Sequence, residues 1–214
     1  MGAVAAAMKE RGITVTGSDE RIYPPMSTFL EESGVEIVEG YRASNIPESA
    51  DVIIIGNTIS RGNEEAEEAL NRKLLYQSLP EVLKDQFLRG KRNFVVTGTH
   101  GKTTTSAILT WVLQSAGREP GYMIGGISGN LGRGACFTDS ELNVLEGDEY
   151  DTAFFDKRSK FLHYLPEFVI INNIEFDHAD IYDSLDEIKL TFRRLLNIVP
   201  GGRLAVVNGD DCNV

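Results

Sequence analysis

A glycine-rich loop between a short apolar strand and a helix constrains the fold of this chain more than any other feature. The residues run Phe94-Val-Val-Thr-Gly-Thr-His-Gly-Lys-Thr-Thr104. A strand that turns through glycines into a helix directs backbone N–H groups and a helix N-terminus at one point, which suits an anion. The sequence therefore predicts a phosphate-binding loop from Gly98 to Thr104.

The side chains of the loop fit ATP. Lys102 would place a positive charge beside the β- and γ-phosphates, and the hydroxyl of Thr103 would hold Mg²⁺. The general P-loop pattern has a further glycine where this chain has Val96, and a plain glycine-rich turn is the alternative interpretation. His100 could serve loop structure only. The residues predicted to contact ATP are Gly98, Thr99, His100, Gly101, Lys102, Thr103 and Thr104.

Strand-like and helix-like segments alternate along the chain, which predicts an α/β fold with a mostly parallel sheet. The predicted strands are 13–16, 35–38, 51–55, 74–77, 94–97, 142–145, 168–174 and 204–207. The predicted helices are 2–11, one capped by Ser27 and ended by Gly34, 64–72, 80–88, 103–116 and one opened by the capping box Ser184-Leu-Asp-Glu187. We place a domain boundary between residues 89 and 90.

The order of the elements indicates two incomplete domains. A nucleotide-binding α/β domain normally begins with a strand and a glycine-rich turn, whereas this chain begins within a helix and finishes soon after a strand. We expect a Rossmann-like N-terminal domain at 1–89, without its first strand and turn. The first half of a P-loop-type central ATPase domain at 90–214 would follow, so the chain is expected to be truncated at both ends.

Three strands of the second domain are followed by groups that suit a metal. Ligands of an open parallel sheet gather beyond the carboxyl ends of its strands, and oxygen atoms with one imidazole suit Mg²⁺ beside phosphates. We predict Thr103, Glu146 and His178 as metal ligands, and Lys102, Glu146 and His178 as catalytic residues. Asp148 and Glu149 fit a metal role and a solvated loop equally well.

Other polar groups are candidates for substrate binding. Lys157, Arg158 and Lys160, with His163, form a basic island that could clamp phosphate or carboxylate groups, or could be a solvated turn. In the first domain, two segments that follow strands could contact a sugar nucleotide, although turn chemistry explains them nearly as well. Their candidate residues are Ser18, Asp19, Ser60, Arg61 and Asn63.

Composition and charge restrict the partners. The formal net charge is −11, which disfavours binding to nucleic acid or to an anionic membrane. No apolar segment approaches the ~20 residues of a membrane-spanning helix. Cys136 and Cys212 have no metal-binding or redox spacing. We read no signal peptide, and we expect a cytoplasmic monomer.

The motifs resemble those of the Mur ligases, which build the peptide of bacterial peptidoglycan. Gly98-Thr-His-Gly-Lys-Thr-Thr104 is similar to the ATP loop of that family, and the segments around Glu146 and His178 are similar to its other two ATP and metal motifs. The resemblance covers essentially the whole chain. It implies an ATP- and Mg²⁺-dependent ligase that forms an amide bond through an acyl phosphate, in a protein with three domains.

One segment resembles a particular branch of this family. The stretch from Asp148 to Phe161 is similar to the branch that joins the murein tripeptide L-Ala-γ-D-Glu-meso-diaminopimelate to UDP-N-acetylmuramate in peptidoglycan recycling. The alternatives are the sister branch that adds L-alanine and an inactive nucleotide-binding fragment. Gly147 stands where the family usually has alanine, a change expected to be harmless and to loosen the loop.

Overall fold

A computed structural model describes residues 1–177 and 181–214. These residues form two units: Met1–Leu79 with Ala153–Phe155, and Pro80–Thr152 with Asp156–Val214. Helices and mostly parallel strands occur along both, so the α/β prediction is confirmed. Within the described ranges, no helix is both long enough and apolar enough to cross a membrane.

The first unit contains two pairs of parallel strands within its described residues. Strand β1 pairs with β2 and β3 pairs with β4. Ala6, Leu30 and Val35 pack together in an apolar cluster. The strands are β1 (Thr16–Asp19), β2 (Glu36–Glu39), β3 (Ile53–Ile55) and β4 (Tyr76–Ser78). The helices are α1 (Gly2–Glu10), α2 (Met26–Glu32), α3 (Glu64–Asn71) and a 3₁₀ turn at Ala43–Asn45.

Two local predictions for this unit are wrong in detail. Strand β1 occupies Thr16–Asp19 and not residues 13–16, because the backbone pairing with β2 falls on polar residues that periodicity does not mark. Ser27 does not cap α2, since that helix begins at Met26 after Pro25 and has no side-chain cap. The end of the same helix is as predicted, because Gly34 takes a positive φ of 71°.

The rest of the chain builds a six-stranded sheet within the described residues. Its order is β12-β11-β5-β8-β6-β7, and every neighbouring pair is parallel except β6 with β7. Its strands are β5 (Arg92–Thr97), β6 (Gly121–Met123), β7 (Ala135–Cys136), β8 (Leu142–Glu146), β11 (Pro166–Ile171) and β12 (Leu204–Val207). β9 (Asp151–Ala153) and β10 (Asp156–Ser159) form a separate two-stranded sheet. The helical segments are α4 (Leu79–Leu83), a π-helical turn (Lys84–Leu88), α5 (Lys102–Ser115), a 3₁₀ turn (Lys160–His163) and α6 (Leu185–Asn197).

Strands β5 and β8 lie in the interior of this sheet. Val96 on β5 and Val144 on β8 are fully buried and pack with Tyr122 and Ile124. A strand covered on both faces reads as a continuous apolar run, and this run made β5 and β8 predictable. Their parallel pairing places the residues that follow both strands at one edge of the sheet.

The sequence analysis did not predict the short strands β6 and β7 or the polar strand β10. β6 has three residues and β7 has two, and β10 is the polar segment Asp156–Ser159. The capping box at the start of α6 is present, with Ser184 accepting from the backbone N–H of Glu187. Its other half is displaced by one residue, since the Glu187 carboxylate accepts from Asp183 N.

Candidate functional site

The glycines of the loop after β5 have conformations that other residues rarely adopt. Gly98 has a φ of 129° and Gly101 has a φ of 78°. A Cβ on Gly98 would lie 3.0 Å from the backbone nitrogens of Asn172 and Asn173. Such crowding against backbone has no cheap relief, so both φ and space require glycine at position 98.

The loop is held by the residues that follow β11. Thr99 N donates to Asn173 O at 3.0 Å, and His100 N donates to Asn173 Oδ1 at 2.7 Å. Asn172 Nδ2 donates to His100 O at 3.2 Å, and Glu175 N donates to Thr99 Oγ1 at 2.8 Å. The asparagine pair is therefore a positioning element that the sequence analysis missed, although its place directly after a buried strand was a usable signal.

Thr103 and Glu146 meet at the start of α5. Thr103 Oγ1 donates to Glu146 Oε1 at 3.0 Å, and Gly125 N donates to Glu146 Oε2 at 2.7 Å. The strand ends of β5, β6 and β8 thus come together, which the parallel order of the sheet made possible. His178, the third predicted metal ligand, lies outside the described residues.

Lys102 forms a buried ion pair inside the loop. Its Nζ donates to Gly98 O at 2.8 Å, to Thr99 O at 3.3 Å and to Glu149 Oε2 at 3.0 Å. The Lys102 side chain is 11% exposed and that of Glu149 is 1% exposed. The solvated-loop interpretation of Glu149 is therefore wrong: its carboxylate is buried and is the counter-charge of the loop lysine.

The other acidic residue of this segment, Asp148, is paired with Lys160. Lys160 Nζ lies 3.2 Å from Asp148 Oδ2 and 3.9 Å from the centre of the Tyr150 ring, which combines an ion pair with a cation–π contact. Burial raises the pKa of the Tyr150 phenol, and the neighbouring Asp148 carboxylate raises it further.

The two other basic candidates of this region also have acidic partners. Lys157 Nζ lies 2.5 Å from Asp151 Oδ2. Arg158 makes a two-point contact with Asp156, with Nε to Oδ1 at 2.9 Å and Nη2 to Oδ2 at 2.7 Å. Both cationic side chains are largely exposed. The basic island is thus a set of separate ion pairs, of which only Lys157 and Arg158 present their charge to solvent.

A cleft of about 470 Å³ in the first unit brings together most of the sugar-nucleotide candidates. Tyr41 and Glu20 line it as well, and the sequence analysis did not single them out. The lining residues are Asp19, Glu20, Tyr41, Thr58, Ile59, Ser60, Arg61, Gly62 and Asn63. Asp19, Ser60, Arg61 and Asn63 therefore line one cleft.

Three of these candidates have contacts that also explain their presence structurally. Asn63 caps α3 by accepting from Glu65 N and Ala66 N, both at 3.1 Å. Ser18 is absent from the cleft lining and donates to the Glu65 carboxylate. Arg61 Nε donates to Glu67 Oε1 at 2.8 Å.

The environment of Glu67 changes its titration. The side chain of Arg61 and then the backbone N–H of Gly62 donate to its carboxylate, and they lower the pKa of Glu67 to about 2. Arg61 is nevertheless well exposed at the rim of the cleft. Its guanidinium can therefore reach an anionic ligand without first leaving a buried position.

Gly147 is more constrained than the sequence suggests. A Cβ there would lie 2.6 Å from Val95 Cγ1 and 3.2 Å from Phe161 Cβ. Val95 and Phe161 are both fully buried. The glycine is therefore packed tightly against β5, which is a correction to the expectation of a harmless change that loosens the loop.

Comparison with known families defines the class of this chain. The family model described as "Mur ligase family, catalytic domain" matches residues 1–91, and that described as "Mur ligase middle domain" matches residues 96–214. The chain belongs to the Mur ligase family.

The chain differs in its similarity to individual members of this family. The chain is 48% identical over 211 residues to the UDP-N-acetylmuramate--L-alanyl-gamma-D-glutamyl-meso-2,6-diaminoheptandioate ligase of Haemophilus influenzae, covering 99% of this chain and 47% of that protein. It is 35% identical to the UDP-N-acetylmuramate--L-alanine ligase of a Psychrobacter species, covering 99% and 42% respectively. The chain spans about half the length of the curated relatives it matches.

This chain is also similar to a solved structure of a ligase from the same branch. The UDP-N-acetylmuramate:L-alanyl-gamma-D-glutamyl-meso-diaminopimelate ligase from Neisseria meningitides superposes with a TM-score of 0.95 at 46% identity. The match covers 100% of this chain and 69% of that one. Both the sequence and the fold of this chain are therefore similar to ligases that act on a murein tripeptide.

Proposed function

We propose that this chain is the sugar-nucleotide- and ATP-binding part of a ligase that joins the tripeptide L-Ala-γ-D-Glu-meso-diaminopimelate to UDP-N-acetylmuramate. The observation that carries the ATP part is the meeting of Lys102, Thr103 and Glu146 around the glycine loop. The identity of the amine rests on the tripeptide ligase relatives, which are more similar to this chain than the L-alanine ligase is.

The residues at the loop fit Mg²⁺. Thr103 Oγ1 and Glu146 Oε1 are 3.0 Å apart, which is close to the separation of adjacent ligands on an octahedral ion with bonds of about 2.0–2.1 Å. His178 is proposed to complete the protein ligands. When bound, the ion supplies positive charge to the β- and γ-phosphate oxygens.

The proposed reaction has two steps. A carboxylate oxygen of UDP-N-acetylmuramate attacks the γ-phosphorus of ATP, the bond to the bridging oxygen of ADP breaks, and an acyl phosphate forms. The amine nitrogen of the tripeptide then attacks the acyl carbon, phosphate leaves, and the amine proton passes to solvent or a base. Lys102 and the N-terminal N–H groups of α5 would stabilise the negative charge that develops on the transferred phosphoryl group.

The two domains would hold different substrates. In the proposed division, residues 1–89 form a Rossmann-like domain that binds the UDP sugar in the cleft of Asp19, Ser60, Arg61 and Asn63. Residues 90–214 form the P-loop-type domain that binds ATP, where Lys157 and Arg158 offer exposed charge to substrate carboxylates or phosphates. Ser18 and Lys160 act less directly, since each is already held by a carboxylate. We place the reaction in the cytoplasm, where ATP is available, and propose a monomer.

The decisive experiment measures phosphate release by the gene product at its natural length. UDP-N-acetylmuramate, ATP and Mg²⁺ are supplied with either the tripeptide or L-alanine. We expect turnover with the tripeptide, at least 100-fold slower in Lys102→Ala and unchanged in Lys189→Ala, a matched control on α6. Turnover with L-alanine alone would reassign the protein to the sister branch. Release with neither amine would contradict the ligase proposal.

A further inference from the structure

Three potential metal ligands converge away from the glycine loop. Glu81 lies on α4, Asp156 begins β10, and His163 ends the 3₁₀ turn that follows. One donor atom from each side chain lies within 4.8 Å of the other two. We call this group the Glu81–Asp156–His163 cluster, and no part of the proposed ligase mechanism uses it.

The imidazole of His163 lacks a hydrogen-bond partner at one nitrogen. Its side chain is 3% exposed, and Nε2 makes no hydrogen bond within the described part of the chain. The same atom lies only 3.0 Å from Asp156 Oδ2, so the two atoms are close without the alignment of a hydrogen bond. Buried polar atoms in native proteins rarely lack a partner, so the contact needs an explanation.

A shared cation accounts for this geometry. Two ligands of a tetrahedral Zn²⁺ with bonds of about 2.0–2.1 Å lie roughly 3.3 Å apart, close to the observed 3.0 Å. The His163 imidazole then directs the Nε2 lone pair at the ion rather than an N–H at Asp156, and Asp156 Oδ2 directs a lone pair at the same ion. Glu81, whose oxygen lies within 4.8 Å of the others, can supply a third ligand after a small side-chain rotation.

The charge states of the cluster suit a cation. Burial lowers the pKa of His163, and the nearby Arg158 lowers it further, while Asp156 and Glu81 oppose the shift and Lys84 adds to it. Burial alone would raise the pKa of Asp156, but the hydrogen bonds from Arg158 outweigh this and lower it. An imidazole nitrogen and carboxylate oxygens are ligand types that a divalent transition metal takes.

The neighbouring cations do not block such a site. Arg158 Nε and Nη2 each occupy one lone pair of an Asp156 oxygen, so Oδ2 keeps another for a metal. The Arg158 guanidinium is largely exposed and can withdraw into solvent if a divalent ion enters.

We propose that the Glu81–Asp156–His163 cluster binds a divalent transition metal, with Zn²⁺ preferred, at a site distinct from the Mg²⁺ site proposed beside Thr103. One imidazole and two carboxylates, completed by water, suit Zn²⁺, whereas Mg²⁺ favours oxygen ligands and keeps several waters. The ion would join α4 to β10 and the 3₁₀ turn, which makes its role structural.

Binding of Zn²⁺ and Co²⁺ to the 214-residue chain, without nucleotide, tests the proposal. Calorimetry with Zn²⁺ should give a site that is at least tenfold weaker in Glu81→Gln and in His163→Gln. Asp85 lies four residues after Glu81, and its carboxylate pairs with Arg89. The control variant Asp85→Asn should therefore bind Zn²⁺ as the wild type does. Glu146→Gln should also leave this site unchanged, because Glu146 belongs to the glycine loop.

Further readouts keep the result decisive if His163→Gln folds poorly. Zn²⁺ should raise the Tm of the wild type and shift that of Glu81→Gln by less than half as much. The Co²⁺ spectrum should show tetrahedral d–d bands without a thiolate charge-transfer band. A thiolate band would indicate that Cys136 or Cys212 binds the ion. Absence of Zn²⁺ binding, equal affinity in the wild type and Glu81→Gln, or a thiolate band would each overturn the proposal.

Discussion

Lys102 donates to three acceptors within the protein, and these contacts bear on what phosphate binding costs. Its Nζ contacts two loop carbonyl oxygens and the Glu149 carboxylate. An incoming phosphate has to share or displace the carboxylate, which carries the same sign of charge. Glu149 therefore holds the lysine in place and also competes with the ligand.

Replacing the carboxylate separates these two effects. We expect Glu149→Gln to bind ATP about tenfold more tightly, a gain of about 1.4 kcal/mol, because the amide keeps a hydrogen-bonding group but removes the competing charge. We also expect a lower Tm, because the buried lysine loses its counter-charge. Titration calorimetry with ATP and thermal denaturation measure the two quantities. Weaker ATP binding by a folded Glu149→Gln would show that the carboxylate assists the nucleotide instead.

The pKa of Glu67 reports on the state of Arg61 in the first unit. The donors on its carboxylate lower this pKa from 4.5 to about 2. Because the unfolded chain takes up the proton at the higher pH, the stabilisation is present above about pH 4.5 and is lost as the pH falls toward 2. The pair is exposed, so the effect on stability is small.

Titration of Glu67 followed by NMR provides the check. In Arg61→Gln the pKa of Glu67 should rise by at least one unit, since the main donor and its charge are removed. A saturating UDP-N-acetylmuramate ligand should raise it in the same direction if its phosphates attract Arg61. An unchanged pKa in Arg61→Gln would mean that the Gly62 N–H alone holds the carboxylate ionised.

At the scale of single residues, the sequence indicated which loop side chains suit phosphate and metal, but not which side chains form ion pairs. The motif indicated Lys102 and Thr103 because their spacing from the glycines is local in sequence. The partners of Asp148 and Glu149 could not be deduced, since Lys160 and Lys102 approach them through folding and not through spacing. Tyr41 was missed for the same reason, because it reaches the first-unit cleft from a separate part of the chain.

At the scale of elements, the end of β8 fits against β5 with no room for a methyl group at Gly147. Val95 and Phe161 occupy the space, and neither is the free end of a flexible side chain. Gly147→Ala should therefore lower the free energy of unfolding by about 1–3 kcal/mol, the usual cost of overpacking. Urea denaturation measures the change.

A matched substitution controls for the intrinsic effect of replacing glycine by alanine. Gly129 has no atom within 4 Å of its would-be Cβ and has no positive φ, so Gly129→Ala should be neutral or slightly stabilising. If Gly147→Ala were as stable as Gly129→Ala, the Val95 side chain would have to move without cost. That result would contradict the tight fit described for this strand end.

Helices marked by glycines or a cap could be predicted from the sequence, whereas features defined only by the backbone hydrogen-bond pattern could not. The helix after Gly101 begins and ends within about one residue of its predicted limits, and the helix after Ser184 begins where the capping box predicts, because glycine conformations and a cap mark them. The segment 80–88 reads as one helix, yet it divides into α4 and a π-helical turn at Lys84. Nothing in the periodicity marks that change of hydrogen-bond pattern.

At the scale of the whole molecule, the chain has two sets of residues that we propose to bind ligands, one in each structural unit. Arg61 and the cleft belong to the first unit, and Lys102 and the loop belong to the second. We expect Arg61→Ala to weaken UDP-N-acetylmuramate binding at least tenfold and to leave ATP affinity unchanged. Lys102→Ala should have the opposite pattern. Calorimetry with each ligand alone measures both, and equal losses in one variant would contradict separate sites.

The α/β class and the parallel sheet followed from alternating segments, whereas the order of the strands did not. The order β12-β11-β5-β8-β6-β7 depends on contacts between segments far apart in sequence. The apolar runs of β5, β8 and β11 identify them as interior strands, but they do not say which neighbours each one takes. The predicted convergence of Thr103 and Glu146 held because any parallel order that makes β5 and β8 neighbours brings them together.

The close approach of Gly98 to the backbone of Asn172 and Asn173 has a consequence for hybrid genes. Loop and strand end are separated by more than seventy residues of sequence, yet they interlock atom against atom. A crossover between relatives that falls inside this interval would join a loop from one parent to an asparagine pair from the other. Chimeras that inherit both segments from the same parent should therefore survive recombination more often than those that divide them.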